Sequence, residues 1–328
     1  MARTLVIGGT LFIGRALVPR LLERGHQVTI LHRGDSHPFA GKVEQVRGDR
    51  NDVESMKRLL ADGDFELVFD NVYDWRRGTK AEQVAAPAEA CGPKLRRYVF
   101  MSSVAAYGDG LDHDEDDPLA PPNWPDSYCR NKAETERALL RLHQEKGFPA
   151  VTLRPPFVYG PHNPFEREQF FWDRILADRP VIIPGDGSRL MQLVFVDDLA
   201  EAAVRAAERD AAVGRAYNVA QPSPVTQEEL VQALALAAGR DVRLVNILRK
   251  TLLGLGGKVF EPPFYFGQYY DLPPITLRID RARADLGFEP TPFQASLGSA
   301  FESYRRQDRP QPDFSFDDRA LEAVGSGG

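Results

Sequence analysis

The chain has 328 residues, enough to bury a substantial core in one large domain or two moderate ones. Its 41 Lys and Arg stand against 47 Asp and Glu, a formal charge of −6, which argues against a surface built for nucleic acid. No run approaches the roughly 20 apolar residues needed to span a bilayer, no leader-like start is visible, and two cysteines are too few for a disulfide framework; the expectation is a cytoplasmic protein with no membrane contact.

The first half alternates β-rich runs with amphipathic stretches, the pattern of a parallel sheet covered by helices. Strands are predicted at Thr4–Gly8, Gln27–His32, Lys42–Arg47, Phe65–Asp70, Arg97–Ser102 and Ala150–Arg154. Helices are predicted between them at Ile13–Arg24, Asp52–Ala61, Thr79–Cys91 and Ser127–Lys146. Two later runs, Gln192–Val196 and Ala216–Ala220, also read as sheet elements and are expected to rejoin the first domain, with a helix from about Leu199 to Arg209 between them. The predicted architecture is a doubly wound α/β domain over residues 1–160 and about 190–220, with a smaller lobe over about 161–189 and 221–308. From 309 to 328 the chain is rich in Pro, Asp and Gly, which predicts a weakly ordered tail that Phe314 and Phe316 can anchor in part.

The first strand runs into Gly8-Gly9-Thr10-Leu11-Phe12-Ile13-Gly14 and then into a helix. A pyrophosphate needs backbone N–H groups, a positive helix end and no Cβ at the closest approach. Gly8 supplies a tight turn, Gly14 lets helix pack on strand, and Thr10, Leu11, Phe12 and Ile13 supply N–H groups; Leu11 stands where the usual pattern has its middle glycine. Placed between first strand and first helix, the loop predicts a Rossmann dinucleotide site. The second strand ends His32-Arg33-Gly34 with no acid to bond a ribose 2′-hydroxyl, and Arg33 can pair with a 2′-phosphate, which favours NADP over NAD. Arg33 stacked on adenine or turned to solvent is the alternative. After the third strand, Gly48-Asp49-Arg50 offers Asp49 to the adenine amino group and Arg50 as a further cofactor contact, or simply forms a turn.

Tyr128 and Lys132, four residues apart, share one face of a predicted helix. A tyrosine with an ordinary pKa near 10 is a poor base at neutral pH and needs a nearby cation, which Lys132 supplies. The strand before that helix ends Ser102-Ser103, where a hydroxyl can hydrogen-bond a substrate oxygen. The six histidines show no pairing at metal-ligand spacing, and no metal is expected.

These pieces resemble the extended short-chain dehydrogenase/reductase family, the NAD-dependent epimerase/dehydratase group, over roughly residues 3–306. The resemblance continues through Ser102–Gly108, Leu153–Pro161, Pro184–Ser188, Phe195–Ala200 and Tyr217–Val219. It implies Ser103, rather than Ser102, as the catalytic hydroxyl, Tyr128 as the proton-transfer residue and Lys132 as its partner. It also implies a cofactor contact at Pro155, substrate contacts at Ser103, Val104 and Phe157 and near Met191, and a homodimer formed through the Thr79–Cys91 and Ser127–Lys146 helices. Val104 and Ala105 stand where 4,6-dehydratases of the family carry acids, which disfavours dehydration. Phe157 and Met191 replace the Asn and Arg that usually meet a substrate diphosphate, with Arg189, Arg174 and Arg278 as candidate replacements. Gly-Gly-Thr-x-Phe-Ile-Gly, Arg33-Gly34 and Gln192 resemble an atypical branch that includes chloroplast stem-loop RNA-binding proteins. The expected function is NAD(P)-dependent oxidation, reduction or epimerisation at a hydroxyl or keto carbon of a nucleotide-sugar or sugar-like small molecule. A reductase of a non-sugar carbonyl compound is the first alternative; an RNA-binding or regulatory Rossmann protein is the second, disfavoured by the acidic charge and the intact Ser103, Tyr128 and Lys132.

Overall fold

Parallel strands covered on both faces read as continuous apolar runs, and Arg3–Ile7 (β1), Gln27–His32 (β2) and Leu67–Asp70 (β4) are buried over nearly their whole length. Glu44–Arg47 (β3) is the exposed exception and lies at a sheet edge. With Arg97–Met101 (β5) and Ala150–Arg154 (β7) they build one sheet; Gly110–His113 (β6) lies outside it. The computed structural model describes residues 1–325. Its sheet has the order Ala216–Asn218, β7, β5, β4, β1, β2, β3, and every pairing is parallel. From β1 the chain builds outward to β2 and β3, then returns to β1's other side with β4. Such a reversal opens a crevice at the carboxyl ends of the strands.

The crossovers are Phe12–Glu23 (α1), Val53–Asp62 (α2), Ala81–Glu89 (α3) and Ser127–Lys146 (α4). α4 has the predicted bounds because both ends are chemically marked. Asp126 accepts the Cys129 N–H at its start, and Gly147, at φ +68°, closes it in the left-handed region. Ala216–Asn218 joins the sheet beside β7, as expected, but Leu193–Phe195 is not one of its strands and belongs to a separate two-stranded pairing.

The chain divides into two units. The first comprises Met1–Pro156, Val194–Pro222 and Ile275–Pro290. Residues 275–290 are therefore no part of the second lobe: Ile275–Leu277 pairs in parallel with β6, and the Arg278 N–H donates to the His113 carbonyl at 2.8 Å. The second unit comprises Phe157–Leu193, Ser223–Pro274 and Thr291 onward. Within it, Glu168–Leu176 and Phe293–Arg305 pack on Gln227–Ala237, and Val181–Pro184 pairs in parallel with Leu244–Ile247.

The expected weakly ordered tail contains a helix, Ser315–Gly325. Phe316 and Ala320, one turn apart, are buried, and Asp317 forms an ion pair with Arg174 at 2.7 Å, both side chains almost fully enclosed. The Pro- and Asp-rich composition concealed this short apolar stripe. Residues 326–328 of the expected tail lie outside the described residues. Among the described residues no helix is long and apolar enough to cross a membrane.

Candidate active site

β1 delivers the chain to Gly8, whose φ of +84° only glycine adopts without strain and whose N–H donates to the Leu31 carbonyl of β2 at 2.9 Å. A Cβ on Gly14 would strike the Gly8 carbonyl oxygen, so α1 can start this close to the strand only with glycine there. Phe12, at φ +38°, is forced into the left-handed region and keeps its ring buried, while Leu11 is 69% exposed. The first turn of α1 carries no capping side chain and no acid, which leaves its positive end for a ligand. At the neighbouring end of β4, both polar atoms of the Asn71 amide are buried with no hydrogen-bond partner. Buried amides are normally satisfied. Glycine cradle, uncapped helix end and orphaned amide together fit a dinucleotide, with Gly8, Thr10–Gly14 and Asn71 as the residues that would hold it.

Two of the expected cofactor contacts look different in three dimensions. Arg50 is 2% exposed; its guanidinium bonds both oxygens of Asp70, at 3.0 and 2.5 Å, and the Gln83 carbonyl. It is a structural member of the core, not a surface donor. Tyr98 completes that cluster by donating to Asp70 at 2.7 Å. Asp49 is engaged by Arg77 at 2.6 Å and accepts the Asn51 N–H at 2.9 Å. Arg33 is largely exposed and reaches Asp74 at 3.1 Å.

Tyr128 and Lys132 occupy the first two turns of α4. Lys132 is buried, and its ammonium donates to the Met101 carbonyl at 2.6 Å, tying α4 to the end of β5 two residues before Ser103. The ammonium lies 5.8 Å from the Tyr128 ring centre, 5.5 Å from that of Tyr73 and 4.9 Å from that of Phe100. Burial pulls its pKa down to about 8, against the opposing pull of Asp70 and Glu136. The two serines at the end of β5 separate cleanly. Ser102 donates to Glu136, itself bound to Arg154 in a buried ion pair, and so belongs to the core. Ser103 caps the short 3₁₀ turn Val104–Tyr107, accepting the Ala105 N–H at 3.2 Å, and that turn packs on α4. Pro155 lies beside the same turn, its carbonyl accepting the Val104 N–H at 2.9 Å.

The residues expected at the substrate divide between the units. Phe157, Arg189 and Met191 belong to the second: Phe157 packs edge-on against Tyr270 with centres 5.1 Å apart, Met191 is buried, and Arg189 is held by Asp271 at 2.9 Å. Arg174 is likewise committed to Asp317. Arg278 belongs to the first unit and pairs with Asp114 at 2.6 Å. Thus Arg189, Arg174 and Arg278 all have carboxylate partners within their own units, which removes the simple reading of them as waiting anion ligands.

Sequence reasoning missed the segment after β4. There Trp75, 55% exposed, stacks on Tyr128 with centres 4.9 Å apart, and Tyr73 meets Tyr128 edge-on at 4.7 Å. Asn131 of α4 donates to the Tyr73 hydroxyl at 3.0 Å, and Asn51 donates to the Gly78 carbonyl at 2.7 Å. The available signal was position: two aromatics and two arginines directly after a strand whose carboxyl end faces the crevice.

The family model described as NAD dependent epimerase/dehydratase matches residues 4–220. The chain is 34% identical over 253 residues to the chloroplast stem-loop binding protein of 41 kDa b of Arabidopsis thaliana, across 72% of this chain but only 63% of that protein. It is 29% identical over 320 residues to the UDP-glucose 4-epimerase of Mycolicibacterium smegmatis, across 88% of this chain and 93% of that enzyme. UDP-glucuronic acid 4-epimerase from Bacillus cereus, solved with UDP-glucuronic acid and NAD, shares the fold with a TM-score of 0.74 at 20% identity, over 93% of this chain and 99% of that one. The glycine loop, the parallel sheet and the buried lysine one turn from a tyrosine therefore have their counterpart in a known group: the chain belongs to the NAD dependent epimerase/dehydratase family, the extended short-chain dehydrogenases/reductases.

Proposed function

We propose that the protein is an NADPH-preferring oxidoreductase or epimerase acting at a hydroxyl or keto carbon of a nucleotide-sugar or sugar-like substrate. The observation that carries this reading is the buried Lys132 ammonium, fixed on the Met101 carbonyl and held beside the Tyr128 ring. A cation enclosed this way favours the phenolate and keeps the proton of Tyr128 within reach of a reacting oxygen. A nicotinamide dinucleotide held by Gly8, Thr10–Gly14 and Asn71 would be the source or acceptor of the hydride. In reduction Tyr128 donates its phenolic proton to the substrate oxygen; in oxidation it accepts that proton. The Ser103 hydroxyl donates a hydrogen bond to the same oxygen and orients it. Re-reduction on the opposite face makes the reaction an epimerisation, and release of the product makes it a simple oxidation or reduction. Val104 and Ala105 offer no acid to a departing hydroxide, so dehydration is not part of the proposal. β2 ends in His32-Arg33-Gly34 with no acid of its own to bond a ribose 2′-hydroxyl, which supports the preference for a 2′-phosphate. The working unit is taken to be a homodimer through α3 and α4, which light scattering of the purified protein tests.

The experiment is a panel of sugar nucleotides and non-sugar ketones, each with NADPH and NADH, run on wild type and Tyr128→Phe. Loss of roughly 10²–10⁴-fold in turnover by the variant, with cofactor binding intact, is expected. Full turnover by Tyr128→Phe would sink the mechanism. Activity confined to the non-sugar ketones would replace the substrate class and leave the chemistry standing. The stem-loop binding relative motivates one rival, RNA binding. Salt-dependent RNA binding at physiological ionic strength, with no response to either dinucleotide, would establish it instead.

A further inference from the structure

Trp75 is the largest side chain beside Tyr128, and nothing in the proposed chemistry uses it. The turn that carries it is built rather than loose. Val72 closes on the glycine loop, where a Cβ on Gly8 would strike its side chain. The Asp74 N–H donates to Thr79 Oγ1 at 3.0 Å, Thr79 Oγ1 donates to Asn51 Oδ1 at 3.0 Å, and Asn51 Nδ2 donates to the Gly78 carbonyl at 2.7 Å. Asp74 Oδ1 accepts the N–H groups of Arg76 and Arg77, both at 3.0 Å. The residues on either side of Trp75 are therefore fixed, and the indole is presented by a rigid support.

Three rings then share one arrangement. Tyr73 meets Tyr128 at 84° with centres 4.7 Å apart, and meets Trp75 at 67° with centres 5.2 Å apart. Phenol and indole thus stand side by side on the same ring, their planes within 29° and their centres 4.9 Å apart. A single exposed apolar side chain needs no ligand to explain it. This one is different because its indole, 55% exposed, is aligned with the ring that moves the proton. Arg77, its charged neighbour in the turn, is committed to Asp74 at 2.7 Å and to Asp49 at 2.6 Å, which leaves the indole as the turn's largest uncharged surface.

We propose that Trp75 is a specificity-determining residue, a stacking platform for the saturated six-membered ring that carries the reacting carbon. A phenolic O–H lies in the plane of its own ring, so a substrate oxygen bonded to Tyr128 brings the carbons behind it alongside the parallel indole. The C–H groups on the apolar face of a pyranose are drawn to the negative face of an indole and gain dispersion along it. An open chain has no fixed face to offer and loses rotational freedom when it is laid flat. The platform rests on the reading of Tyr128 as the proton-transfer residue, and it narrows that reading to ring-shaped substrates.

The test assays wild type, Trp75→Phe, Trp75→Leu and Trp75→Ala with UDP-glucose and NADP, and with cyclohexanone or its open-chain counterpart methyl butyl ketone and NADPH, each by product analysis. Wild type is expected to favour cyclohexanone over methyl butyl ketone roughly tenfold or more in kcat/KM. Trp75→Ala should lose roughly tenfold on ring substrates, mostly through KM, and less than about threefold on the open chain. Trp75→Phe should recover part of the loss, and Trp75→Leu, apolar but without a flat face, should not. Turnover of cyclohexanone with these effects, but not of UDP-glucose, keeps the platform and replaces the sugar. Equal losses on ring and open-chain substrates overturn it, since the indole would then act only through Tyr128. Calorimetric NADPH affinity should change by less than about twofold in Trp75→Ala; a tenfold loss would assign the indole to the nicotinamide and overturn the platform. Wild type that turns over no ring substrate overturns it as well. Trp75→Ala without effect, beside an inactive Tyr128→Phe, removes the platform alone, whereas full turnover by Tyr128→Phe removes the mechanism and the platform with it.

Discussion

Lys132 concentrates the tension between stability and function in one side chain. Its ammonium is buried against Phe100, Tyr73 and Tyr128, and burial lowers its pKa from the ordinary value to about 8. Because the folded state holds this proton less tightly than the unfolded chain does, the charged lysine costs stability below about pH 8, and the cost fades as pH rises. Lys132→Met should therefore raise the melting temperature at pH 7 while lowering turnover by roughly 10²-fold or more. A lower melting temperature in calorimetry would contradict this. For wild type, the rate of carbonyl reduction should be full below about pH 8 and decline above it as the ammonium is lost; a flat profile from pH 7 to 9 would remove Lys132 from the mechanism. Arg50 makes the opposite case. Arg50→Met leaves Asp70 charged, buried and beside Tyr98, so chemical denaturation should show a loss of about 3–5 kcal/mol. NADPH affinity of the folded fraction should be unchanged, because the residue is structural.

At the scale of elements, what matters is where each one stops. α1 begins against the Gly8 carbonyl, so Gly14→Ala must push backbone apart rather than shift a side chain. Cofactor affinity is expected to fall more than tenfold, read by quenching of protein fluorescence on NADPH titration, since the N–H groups that would face the pyrophosphate move. α4 was legible residue for residue because its cap at Asp126, its stop at Gly147 and its Tyr128/Lys132 pair are local signals. The turn from Tyr73 to Gly78 was not legible. Its order comes from partners far away in sequence, Asn51, Arg33 and Asn131, and no window of sequence contains them together.

Across the whole molecule, the chain leaves the dinucleotide-binding unit and returns to it, with Ile275–Pro290 the last return. That return is held by a three-residue strand on β6 and by the Arg278–Asp114 and Arg281–Asp116 ion pairs. At the other end, Phe316 and the buried Arg174–Asp317 pair make the Ser315–Gly325 helix part of the second unit's core. Phe316→Ala should destabilise by about 3–5 kcal/mol, and truncation after Pro312 should lower the melting temperature of this unit. A dispensable tail would show neither effect.

The amino-acid sequence by itself determined the elements whose reasons are local: the parallel strands, the glycine turn, the ends of α4, and the spacing that puts Tyr128 and Lys132 on one face. It also determined the family, because those motifs fall in order along the chain. Only the tertiary structure decided which charged side chains are available. It took Arg50, Ser102 and Arg189 into buried or paired positions, and it brought Arg77, Asp74 and Trp75 to the site from a segment that reads as an ordinary turn. The physical reason is that a charge's role is set by the partner that reaches it, and those partners lie tens of residues away: Asp70 for Arg50, Asp271 for Arg189, and Arg33 for Asp74.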